Sequence, residues 1–174
     1  MRERRAATDR RRAREFEVFA AGAAGRLLHT AALLTAEPPT ATPRAQRLLE
    51  AALARTYAEW DQLRGEDPYD RTRRELALRF AQEAWRVRRP GRWTGRWGGR
   101  WTGRWTGRRA DGEGGLLAGL GTQERLVLVL QLYEGLTEEQ TASLLGLPED
   151  RARALCARAM SALRRTAPRG EAGP

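Results

Sequence analysis

The sequence predicts an all-α protein: two small helical domains joined by a flexible basic linker. Three observations carry that expectation. Apolar residues recur at steps of three and four on both sides of the middle of the chain. Residues 90–109 interrupt them with a Gly-Arg-Trp repeat. Residues 137–165 read as a helix, a short Gly-containing turn and a second helix.

Composition narrows the class. The chain has 174 residues and a formal charge of +10. All 32 basic residues are Arg, and Lys, Ile and Asn are absent. The missing residues need A/T-rich codons, so a G+C-rich genome explains why the cations are Arg. It does not explain their excess over 22 acidic residues. Leu, Val and Phe make up about 17% of the chain, below the ~20% at which a highly charged chain is suspect for disorder. Small Ala-rich helical units with flexible connections fit this better than one large core. The single cysteine, Cys156, excludes an internal disulfide framework and cannot alone hold a metal. A reducing cytoplasm is the expected compartment. The charged start MRERRAATDRRRAREFE does not read as a secretory signal. No run approaches ~18 consecutive apolar residues, so neither a membrane span nor a membrane partner is expected. Anionic partners, chiefly nucleic acid, lead.

The elements follow in order. Residues 1–14 carry seven Arg and are expected as a disordered basic arm. Residues 15–89 form the first domain. Phe16, Phe19, Ala23, Leu27, Ala31 and Leu34 make one helical stripe, which Glu37-Pro38-Pro39 ends. His29 lies in it with no catalytic company and reads as a helix-face residue. Thr42-Pro43 is read as cap and first turn of a helix over about 43–64, with Leu49, Leu53, Thr56, Trp60 and Leu63 as its stripe. Asp67-Pro68 starts a third, striped by Tyr69, Leu76, Phe80, Ala84 and Val87.

Residues 90–113 form the linker. Trp93, Trp97, Trp101 and Trp105 recur every four residues, with nine Arg and no acid from Arg86 to Arg109. A Gly in each unit costs ~1 kcal/mol against Ala, so no stable helix is expected. Residues 114–166 form the second domain. Thr122 is read as a cap, and LVLVLQLY (126–133) as a buried helix ending at Gly135. Thr137-Glu-Glu-Gln140 is a capping box. Gly146 closes that helix, and Leu147-Pro148 opens the last one, with Ala152, Leu155, Ala159 and Leu163 on one side. Residues 167–174 are expected as a frayed tail.

The last helix, about 148–165, carries Arg151, Arg153, Arg158, Arg164 and Arg165. Arg reaches phosphates and pairs in bidentate fashion with guanine, so a basic second helix in this motif points to DNA. The plainer reading is a packed helix pair with solvated Arg. Enzymatic signals are weak: one His, one Cys, no phosphate-cradling Gly motif and no metal-ligand cluster. No cofactor is expected.

The stretch LGTQERLVLVLQLYEGLTEEQTASLLGLPEDRARALCARAMSALRR resembles region 4 of the extracytoplasmic-function sigma factors, a sigma-70 superfamily of RNA polymerase subunits, and within them the actinobacterial SigE-like group. REFEVFAAGAAGRLLHTAALLT, AQRLLEAALARTYAEW and DPYDRTRRELALRF are similar to parts of region 2. The likeness spans about 15–89 and 114–165. It implies a transcription-initiation factor whose partners are promoter DNA, core RNA polymerase and an anti-sigma factor. Region 4 would read the −35 element through Arg151, Arg153, Leu155, Arg158, Arg164 and Arg165. Region 2 would dock on polymerase through Arg47, Leu48, Glu50 and Arg55, and open the −10 element.

The chain departs from the family at several positions. Ala154 and Leu155 stand where polar residues are usual, leaving apolar contact such as with a thymine methyl. Pro148 stands where a capping Ser is common. Arg47 replaces an acidic residue and Glu50 a Gln, and the Asn-bearing −10 reader falls near Leu78. The Trp and Arg of the linker suit single-stranded DNA or RNA, by stacking and backbone contact. Alternatively the repeat is an expansion that a linker tolerates. Two further readings of the chain stay open: a helix-turn-helix regulator without polymerase docking, and an interaction module that binds an anti-sigma factor.

Overall fold

The computed structural model describes residues 2–63, 65–86 and 116–166. Among them every regular element is helical. Helix α1 spans Arg2–Thr35, α2 Pro43–Ala58 and α3 Pro68–Arg86, with a 3₁₀ turn at Trp60–Gln62. In the second half α4 (Thr122–Leu128) runs into a π-helical turn (Val129–Tyr133). α5 (Glu138–Leu145) and α6 (Glu149–Thr166) follow.

Helix α1 is 34 residues long, about 51 Å at 1.5 Å per residue. Leu27, Ala31 and Leu34 are fully buried on one face. They pack with Ala45, Leu48, Leu49 and Ala52 of α2 and with Leu76, Ala77, Phe80 and Ala81 of α3. Part of α1 is apolar and long enough to cross a membrane by length and composition, with a mean hydropathy of 1.3. Its buried leucines serve the bundle core instead.

Residues 2–14, expected as a disordered arm, are helical. Local chemistry and tertiary contact both favour this. Ala and Arg are good helix formers, and Arg11 pairs with Glu15 one turn on at 3.7 Å. Arg12 bonds Asp61 at 3.1 Å and also reaches the Tyr57 carbonyl. Its guanidinium lies 4.5 Å from the Tyr57 ring centroid. Phe16 follows with ring contacts to Tyr57 at 4.9 Å and Trp60 at 5.3 Å.

The start of α2 also differs from expectation. Thr42 makes no side-chain capping bond. Glu37, just past the end of α1, accepts from the backbone N–H groups of Arg44 at 2.9 Å and Ala45 at 2.7 Å. One carboxylate thus terminates one helix and starts the next. Burial works against its charge, but those two N–H bonds and the Thr35 hydroxyl hold its carboxyl below the usual range. Between α2 and α3, the buried hydroxyls of Thr56 and Thr72 meet at 3.0 Å.

In the second half, Gly121 rather than Thr122 precedes the first turn of α4, and the Glu124 carboxylate accepts from the Gly121 N–H at 3.1 Å. The aliphatic run is helical and buried, as expected. It widens to i→i+5 bonding at its end, where the Glu134 N–H reaches the Val129 carbonyl at 3.1 Å. The two helical units do not stand apart. Leu126, Val127, Leu130 and Leu155 join the same apolar cluster as Leu27 and Phe80.

Glu134 marks that junction. Its side chain is 0% exposed. It accepts from the Thr30 hydroxyl of α1 and from the Tyr69 hydroxyl of α3, the latter at 3.0 Å. Arg26 and Arg73 stand 3.7 Å away. A carboxylate of the second half is therefore satisfied by the first. Burial and then the Glu134 charge push the Tyr69 phenol well above its ordinary range, so it stays a donor.

Candidate nucleic-acid interface

The helix-turn-helix is built from local rules. Thr137 Oγ1 accepts from the Gln140 N–H at 3.1 Å, and Gln140 Oε1 accepts from the Thr137 N–H at 3.0 Å, closing the expected capping box. Gly146 ends α5 with φ +63°, a left-handed conformation that suits glycine. Its N–H donates to Ser143 O at 3.3 Å, and the Leu147 N–H donates to Ala142 O at 2.9 Å. This is the Schellman arrangement, with Leu147 buried beside it. The turn thereby fixes where α6 begins.

Helix α6 divides sharply. Ala152, Leu155 and Ala159 are buried, Leu155 at 1% exposure. Arg153, Ala154, Ala157, Arg158, Ser161, Arg164 and Arg165 are exposed. At 100° per residue these seven fall on one arc roughly 140° wide. Four of them are Arg, so the arc is a basic stripe with small residues between the cations. Small residues let a helix approach a groove floor closely, while the Arg reach phosphates or base edges. Arg151 is half-buried at the margin of the arc.

Two of the stripe's cations are pre-paired. Arg153 Nε donates to Glu138 Oε2 at 2.8 Å, and Arg158 Nε donates to Glu124 Oε1 at 3.2 Å. Both guanidiniums are mostly exposed. Exposed pairs of this kind are worth ~0–1 kcal/mol, so a phosphate can displace them. Cys156 sits beside the stripe, half-buried. Burial and then Glu138 push its thiol up, which leaves it unreactive.

Leu155 requires a correction. It was expected to contact a base, but its side chain lies in the core between α6 and α4 and cannot reach DNA from there. Among the residues assigned to polymerase, Arg47, Glu50 and Arg55 are exposed on α2. Arg55 is tied to Glu59 one turn on. Leu48 is 2% exposed and belongs to the core, so it supports this face without forming it. Leu78 is half-buried in α3. Trp93, Trp97, Trp101 and Trp105 lie outside the described residues. The sequence gave no signal for the paired acids Glu124 and Glu138, since each is separated from its Arg by many residues and a turn.

Comparison with known proteins agrees with this geometry. Residues 116–165 match the family Sigma-70, region 4. Over 153 residues the chain is 29% identical to the RNA polymerase sigma-E factor of Streptomyces coelicolor, covering 86% of this chain and 84% of that one. The sigma-E factor of Streptomyces avermitilis is likewise 29% identical, with 86% and 83% covered. No solved structure matches. With its helix-turn-helix in place and its likeness to sigma-E factors reaching across both halves, the chain is a divergent extracytoplasmic-function sigma factor of the SigE-like group.

Proposed function

We propose that the chain directs RNA polymerase to promoters in the cytoplasm, acting by binding and not by catalysis. The observation that carries this is the exposed arginine arc of α6, set at a fixed angle by the capped α5 and the Gly146 turn. Arg153, Arg158, Arg164 and Arg165, with Arg151 at the margin, contact the −35 element. The first half docks on core polymerase through Arg47, Glu50 and Arg55. The Gly-Arg-Trp linker binds single-stranded DNA or nascent RNA without sequence preference, by stacking and phosphate contact. An anti-sigma factor is a further partner.

A second reading is a helix-turn-helix regulator that reads DNA without productive docking. Arg47 favours it, because the cation stands where the family carries an acid, and a reversed interfacial charge costs several kcal/mol. Selection of bound DNA from a random pool, followed by footprinting with and without core polymerase, separates the two. Protection that extends from the −35 to the −10 element only when core is present supports the sigma reading. Protection of one short site, unchanged by core, supports the regulator.

A further inference from the structure

We propose that Glu134 is the catch of an intramolecular latch that holds the free chain closed. The latch must open before both halves can sit on a promoter. The need to open rests on the sigma reading above; the closure itself does not.

The closed state has a defined catch. Glu134 lies between α4 and α5, yet its described partners are Thr30, Arg26, Tyr69 and Arg73 of α1 and α3. With the halves apart, this fully desolvated carboxylate would return to water and lose all four. Around it the halves share an apolar cluster that joins Leu27 and Phe80 to Val127 and Leu130.

Promoter geometry conflicts with closure. Elements named −10 and −35 lie about 25 base pairs apart, roughly 85 Å of duplex at 3.4 Å per base pair. In the closed chain Thr30 and Glu134 touch. The covalent tether does not forbid separation: the 29 residues from 87 to 115 reach at most about 100 Å when extended.

The closed state also contains its own point of release. Arg125 of α4 is 9% exposed, and its Nε has no hydrogen-bond partner among the described residues. Arg44 of α2 adds a like charge, and burial followed by that repulsion lowers the Arg125 pKa. A buried guanidinium facing another cation opposes closure and is relieved when water returns. One buried acid thus fastens the halves while one buried base loosens them, which is the balance a separable interface needs. The arginine arc of α6 remains exposed throughout. The closed chain therefore keeps its grip on a single DNA element and forgoes the second.

The test uses the full chain with Gln46→Cys and Ser143→Cys in a Cys156→Ala background. Both label sites are exposed, one in each half. Pulsed electron resonance measures the distance between spin labels in the free protein. A single short distance is expected. Tyr69→Phe removes one donor to Glu134, and Glu134→Ala removes the catch. Each should move population to long distances and raise affinity for core polymerase several-fold. Circular dichroism checks that the helices persist. Should Glu134→Ala unfold, Tyr69→Phe and Thr30→Val still decide. A long, broad distance in the free parent overturns the latch, as do folded variants with unchanged distances. If every variant opens but none binds core polymerase, the latch stands and the sigma reading fails.

Discussion

Arg153 Nε donates to Glu138 Oε2 at 2.8 Å, so the helix that faces DNA presents a cation already paired to the helix before it. Binding phosphate at Arg153 means giving up this pair. Glu138→Gln keeps the shape and removes the competing charge. It should raise DNA affinity about two- to fivefold and steepen the salt dependence by a fraction of one counterion. Arg153→Ala should weaken binding by ~1–3 kcal/mol if it reads a base edge, and unequally across sequences. Fluorescence anisotropy against a salt series and a set of single-base variants measures both.

Leu155 tests whether α6 has the orientation described. A base-contacting Leu would tolerate truncation with altered specificity. A core Leu at 1% exposure should lose ~2–5 kcal/mol of folding stability on Leu155→Ala. Denaturant unfolding of the full chain provides the number. A variant of unchanged stability with shifted base preference would mean that this face of α6 is turned toward DNA.

The Glu37 cap predicts a pH dependence. Its carboxyl titrates below the ordinary value of 4.5, so the unfolded chain binds this proton before the folded chain does as pH falls. The stabilisation is fully present above the ordinary value and is lost as pH falls through the folded one. Glu37→Gln should therefore be less stable than the parent at pH 7, and the gap should narrow in acid. Urea midpoints of both proteins from pH 7 to pH 3 report it.

Deleting residues 91–106 removes the Gly-Arg-Trp units. If they grip single strands, affinity for nonspecific single-stranded DNA falls and its salt slope flattens, since fewer phosphates are neutralised. An unchanged slope would leave the repeat as an expansion that the linker tolerates.

The sequence was most legible where structure is local. Thr137 with Gln140, and Gly146 with Leu147, are each settled by partners within a few residues, so the capping box and the turn could be read directly. The buried face of α6 followed from its spacing. What failed to show is decided across the chain. Arg-rich residues 2–14 resemble a solvated arm, because nothing in them announces Tyr57 and Asp61 some 45 residues on. Thr42 looked like a cap because Thr-Pro is a strong local signal. Glu37 outcompeted it from before the turn, with two N–H bonds to one carboxylate. Glu134 sits 104 residues from Thr30 and reads in sequence as an ordinary helix-end acid. Leu155 was misassigned because a family position was weighed above the helical phase of its neighbours, Ala152 and Ala159.

Core RNA polymerase decides the central claim. The full chain should co-elute with purified core from a sizing column at physiological salt, and Arg47→Glu, which restores the family's charge, should bind at least as well. Failure of the folded chain to associate with core under those conditions would contradict the assignment of promoter-directing function and leave a DNA-binding helix-turn-helix protein in its place.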